Sequence, residues 1–161
     1  MITSLEFWTH VGNWSLVGAV GFTLLLILAS ITKAFQLVRD EEGLFRKPMP
    51  LGGWIVMAGF FLTIFLFFIA AAYFGLLIKG MSPSFWVLWL MNFLIFFTLL
   101  LFDTFIIDIL ILVLWHPAFL KLPDKEMFVS ITFHLKTMLF GTIFNIVASF
   151  ISSLAAWLLF F

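Results

Sequence analysis

The chain of 161 residues contains no cysteine. That excludes disulfide frameworks, thiol catalysis and cysteine-held iron–sulfur clusters in one step. Charge is nearly as scarce: Asp, Glu, Lys and Arg make up 10% of the residues and cancel to a net charge of zero, against roughly 25% charged residues in soluble domains. The few charges are scattered, so neither a basic tail nor a basic patch marks a nucleic-acid partner. Gly-rich phosphate loops, a nucleophile elbow and paired-histidine motifs are also missing. No internal repeat marks a transporter built from inverted halves.

What fills the chain instead is apolar. Hydrophobic residues make up 65% of it, Phe alone occurs 24 times, and the mean hydropathy is +1.26. Soluble domains are roughly 45–50% apolar, so this composition is that of an integral membrane protein, with the lipid bilayer as its first partner. A hydrocarbon core of about 30 Å takes a helix of about 20 residues, and four such helices account for nearly the whole chain. Membrane β-strands are only about 9–11 residues long and alternate apolar with polar residues, which these runs do not. The expected fold is an all-α, polytopic integral membrane four-helix bundle. It forms a single transmembrane domain over residues 1–161, with spans at about 14–37, 51–78, 83–116 and 128–160.

Boundaries follow from charge and from helix breakers. The first span ends in Arg39, Asp40, Glu41 and Glu42, followed by Arg46, Lys47, Pro48 and Pro50. Because MITSLEFWTH carries Glu6 and neither Lys nor Arg, the first apolar run reads as a retained span and not as a signal peptide. Ser82 and Pro83 read as an N-cap with proline at the first helical position of the third span. Pro117 closes that span after His116, and Asp124 reads as the N-cap of the fourth. Seven of the eight Lys and Arg residues flank the first and third loops, leaving only Lys79 opposite. By the positive-inside rule those loops face the cytoplasm and both termini lie on the non-cytoplasmic side. Trp8, Trp14, Trp86, Trp89 and Trp157 then fall toward the outer interface, with Trp54 and Trp115 toward the inner one, as an aromatic belt requires.

Against this background the stretch FDTFIIDILILVLWHP, residues 102–117, stands out for two intramembrane aspartates. A carboxylate at the bilayer centre costs about 2.5–3.5 kcal/mol on insertion scales, so such residues mark a functional or an ion-paired position. In an α-helix Asp103 and Asp108 are about 140° apart and face different neighbours. By depth, Asp108 meets His134 and Lys136 of the fourth span, and Asp103, Asp108, His134 and Lys136 form the candidate proton, cation or ion-pair cluster. Lys33 and Arg39 lie at a similar depth. Three readings stay open: ion pairs that only fix helix register, a proton- or cation-handling site, and a metal site from Asp103, Asp108, His116 and His134. No His or carboxylate pair has the i, i+3 or i, i+4 spacing of helix-borne metal motifs, so neither a metal nor a cofactor is assigned. His10 reads as a solvated interface residue.

The fourth span carries a small-and-polar stripe: Thr137, Gly141, Asn145, Ala148, Ser149 and Ser152 recur every three or four residues. In lipid such a face is where another helix approaches closely, with Asn and Ser as hydrogen-bonding partners, and a pore lining is the alternative reading. Ala71 with Gly75, and Ser15 with Ala19, are shorter small-residue pairs of the same kind.

On Phe102, Asp103 and Asp108, the proline-containing loop after His116, and His134 with Gly141, the chain resembles the uncharacterised small four-span membrane proteins of Gram-positive bacteria. The resemblance covers about a quarter of the chain, carries no activity with it, and implies a bacterial plasma membrane. The working expectation is an oligomeric transport or proton/cation-handling protein, since four helices leave little room for an alternating-access core in one copy. The alternatives are an accessory or assembly subunit docking through the Gly141 and Asn145 face of span 4, and a membrane enzyme acting on a lipid-like substrate. Catalytic residues are not assigned.

Overall fold

A computed structural model describes residues 5–38, 40, 45–78, 84–115 and 130–160. Among them the regular elements are all helical: α1 (Leu5–Ile31), the short α2 (Ala34–Val38), α3 (Leu51–Leu76), α4 (Phe85–Phe102), a wide-wound π segment (Asp103–Trp115) that continues α4, and α5 (Ile131–Phe160). Four rods, with α4 and the π segment counted as one, are long and apolar enough to cross a membrane. This makes the chain a multi-pass membrane protein by length and composition.

The first span begins at Leu5, nine residues before the expected start near Trp14. The polar letters of LEFWTHVGNW obscured it. Phe7, Val11 and Ser15 are buried along one stripe of that stretch, and tertiary packing of that stripe carries the helix through His10 and Asn13. The span also ends early. Thr32 turns its hydroxyl back to the Leu28 carbonyl at 2.7 Å, and Lys33 takes a left-handed φ of 57°, which breaks the rod before α2. Gly53 lets α2 lie tight against the start of α3: a Cβ there would sit 2.5 Å from the Leu37 carbonyl oxygen.

Pro50 precedes α3 in extended geometry, as proline at a helix entrance allows. Ser84 occupies the N-cap of α4. Ser130 caps α5, its hydroxyl accepting the Phe133 N–H at 3.2 Å as N-cap serines do. The caps proposed at Ser82–Pro83 and at Asp124, and the stop at Pro117, lie outside the described residues, as do Lys79, His116, Lys121 and Lys125.

Successive long rods run in opposite directions. The start of α1 meets the end of α3 through His10 and the Ala71 carbonyl, and the early part of α4 meets the late part of α5 through Asn92 and Ser153. The core on this side is Phe7, Val11, Phe68, Ala71, Met91 and Ile95, with Phe68 stacked on Phe96 at 4.8 Å. Gly75 admits the Met91 methyl group, and Gly18 admits Leu99.

The distribution of side chains is inverted relative to a soluble bundle. Leu16, Leu24, Leu62, Leu139, Phe140 and Ile143 are among many large apolar residues on the outside, while Asn92, Asn145, Ser149, Ser152 and Ser153 are buried. In a bilayer lipid tails would solvate the former, while helix contacts take up the amide nitrogens of Asn92 and Asn145 and the hydroxyls of the three serines.

Candidate functional site

His134 lies in the first turn of α5, four residues after the cap, where its own N–H bonds to the Ser130 carbonyl at 3.4 Å. That turn aims the imidazole at the π segment. His134 Nδ1 donates to Asp108 Oδ2 at 2.9 Å, with the two side chains 6% and 23% exposed. Phe133 packs edge-on to the imidazole at 5.6 Å. Thr104, four residues before Asp108, is buried beside this region.

The wide winding brings in the second carboxylate. An α-helix would set Asp103 and Asp108 about 140° apart at about 100° per residue. A π helix bonds i to i+5 and advances only roughly 80° per residue, which leaves the two about 40° apart on adjacent turns. Both carboxylates therefore fall on one side of the wide-wound segment. The expectation that the aspartates face different neighbours is thus corrected: they border one site.

Lys136 does not join them. It is exposed, and at two residues from His134 it points about 200° away around α5. Depth alone had grouped it with the cluster, and helix angle removes it. Lys33 is likewise exposed, so among the described residues neither carboxylate pairs with a lysine or arginine. Arg39 and His116 lie outside the described residues. Among the described residues no three metal-ligating side chains gather, and Asp108 with His134 is a pair without a third ligand.

The imidazole has one further property. Its Nε2 is buried and has no hydrogen-bond partner among the described residues. With Nδ1–H committed to Asp108, Nε2 presents a buried lone pair, held in one tautomer by the carboxylate behind it. That is the arrangement of an oriented proton acceptor.

The stripe of α5 packs on α4. Asn145, Ser149 and Ser152 are buried, Ala148 and Gly141 are half-buried, and Gly141 receives Leu100, whose Cδ1 would lie 2.8 Å from a Cβ at that position. Thr137 falls off the face: it is exposed and turns its hydroxyl back to the Phe133 carbonyl of its own helix at 3.0 Å. Within the chain this face packs on α4, through Gly141 against Leu100 and through Asn145 Nδ2 on the Phe93 carbonyl.

Two participants were missed from sequence. Ser153 is fully buried and accepts from Asn92 Nδ2 at 3.0 Å, with Ser152 at 3.4 Å; the adjacent serines on the polar stripe were the signal. His10, read as solvated, is half-buried and donates through Nε2 to the Ala71 carbonyl at 3.0 Å. Gly75, four residues after Ala71, lies alongside, and a Cβ there would sit 3.5 Å from His10 Nε2. No family model, curated protein or solved structure matches the chain.

Proposed function

We propose that this is a proton-handling protein of a bacterial plasma membrane, with both termini on the outer side and the Asp108–His134 pair as its titratable centre. The observation that carries the reading is the pair itself: a carboxylate and an imidazole at 2.9 Å, with the far imidazole nitrogen buried and unpartnered. A proton taken up at Nε2 makes an imidazolium opposite the Asp108 carboxylate, and its release restores the neutral ring. Asp103 adds a second negative group one wide turn away, so a proton held among the three relieves repulsion between like charges.

A proton suits this geometry better than a metal or alkali cation. Two side chains already bonded to each other leave few free donors for an ion, whereas a proton needs only one lone pair. A purely structural ion pair makes the contrary forecast. It would tie α5 to the π segment, and its loss would lower stability without altering proton movement.

Reconstitution into liposomes with an entrapped pH-sensitive dye tests the reading. Asp108→Asn and His134→Gln are each expected to lower proton flux at least about tenfold, a barrier increase of about 1.4 kcal/mol, while the protein keeps its helical circular-dichroism spectrum. Unchanged flux in both variants would assign the pair to structure.

A further inference from the structure

The α4–α5 seam contains more unsatisfied polarity than packing requires. Asn92 and Asn145 are fully buried, and each amide oxygen lacks a hydrogen-bond partner among the described residues. The Trp89 indole N–H, one turn before Asn92, is in the same condition. The amide nitrogens are used, with Asn92 donating to Ser152 and Ser153 and Asn145 to the Phe93 carbonyl at 3.3 Å. These bonds hold both side chains in the seam. Ser149 and Ser152 bond back to the Asn145 and Ser149 carbonyls at 2.6 and 3.2 Å. A buried polar group without a partner costs several kcal/mol in lipid, and ordered water is the usual occupant of a polar interior.

The seam also has the right length. From His134 to Ser153 along α5 is roughly 28 Å at 1.5 Å per residue, close to the roughly 30 Å of a hydrocarbon core. One interval is apolar. Between His134 and Asn145 the contact is Leu100 seated on Gly141, with Thr142 turned back to its own Met138 carbonyl at 2.9 Å.

We propose that this seam is the proton's route from the Asp108–His134 pair to the opposite end of the bundle. Water held by the free oxygens of Asn92 and Asn145 and by the Trp89 N–H relays protons, each water accepting one on one side and releasing one on the other. Leu100 on Gly141 is the apolar constriction that interrupts the relay and limits leak, as dewetted constrictions do in channels. The proposal rests on the proton-handling reading and adds the path, the residues that hydrate it, and the residue that restrains it.

Two measurements test it separately from that reading. Water-edited solid-state NMR of the wild-type protein in liposomes reports contact between water and the side-chain amides of Asn92 and Asn145 and requires no flux. Contact as strong as at exposed Gln36 is expected, and dry amides overturn the route. In the flux assay, Leu100→Ala is expected to raise Asp108-dependent proton flux about tenfold, equivalent to about 1.4 kcal/mol. Unchanged or reduced flux with Asp108 dependence intact overturns the constriction while leaving the functional reading in place. Wild-type flux that ignores Asp108→Asn counts against that reading, and the amide signals still decide whether the seam is wet.

Discussion

At the scale of single residues, two kinds of position decide the structure: glycines where helices touch, and polar groups with one bond too few. The glycines rank themselves by what a methyl group would meet. At Gly53 it meets backbone, the Leu37 carbonyl oxygen, whereas at Gly75 and Gly141 it meets the flexible ends of Met91 and Leu100. Side-chain ends move and carbonyls do so only with their helix, so Gly53→Ala is expected to destabilise by about 1–3 kcal/mol as an overpacking change. Gly75→Ala and Gly141→Ala should cost less, and unfolding in detergent with increasing denaturant reads the order. The Asp108–His134 pair was legible from residue type and depth, because intramembrane ionisable groups find each other. Lys136 was misassigned because depth says nothing about angle. His10 escaped because its partner is a backbone carbonyl on another helix, and no letter in a sequence marks that.

At the scale of elements, the four spans were readable from apolar run length and breakers, and α3 starts at the expected Leu51. The start of α1 was not, since its first turns are held by Phe7 and Val11 packing into the core and not by local hydrophobicity. The π winding of Asp103–Trp115 was also hidden: FDTFIIDILILVLW has the composition of any apolar helix, and the choice between i+4 and i+5 bonding is made by tertiary context. The winding matters because it turns Asp103 and Asp108 toward one side of the segment. The register of α4 against α5 rests on Asn92 with Ser152 and Ser153, and the absence of cysteine from the natural chain makes it directly testable. Asn92→Cys combined with Ser153→Cys is expected to cross-link with a short bifunctional thiol reagent, detected by mass spectrometry. Asn92→Cys with Thr137→Cys should not, since Thr137 is off the seam.

At the scale of the whole molecule, the antiparallel rods put the start of α1 and the end of α5 at one end of the bundle, where Tyr73 of α3 packs on Phe160 at 4.6 Å. The basic residues Lys33, Arg46 and Lys47 accompany the opposite turns. If the positive-inside rule governs insertion, Asp108 and His134 lie toward the cytoplasm and the Asn92–Ser153 end of the seam lies outward. A path contained in one protomer would also need no alternating-access core, and the little room four helices leave for such a core was the physical ground for expecting an oligomer. Flux per protein should then be independent of the protein-to-lipid ratio, whereas an assembled pore would lose flux on dilution. Direction is checked in whole cells expressing single-cysteine variants. Leu5→Cys, exposed at the start of α1, is expected to react with a membrane-impermeant maleimide in intact cells. Gln36→Cys, exposed on α2, should react only after permeabilisation. The reverse pattern would invert the bundle and put the Asp108–His134 pair at the outer face, so that the constriction at Leu100 would guard the cell from the opposite side.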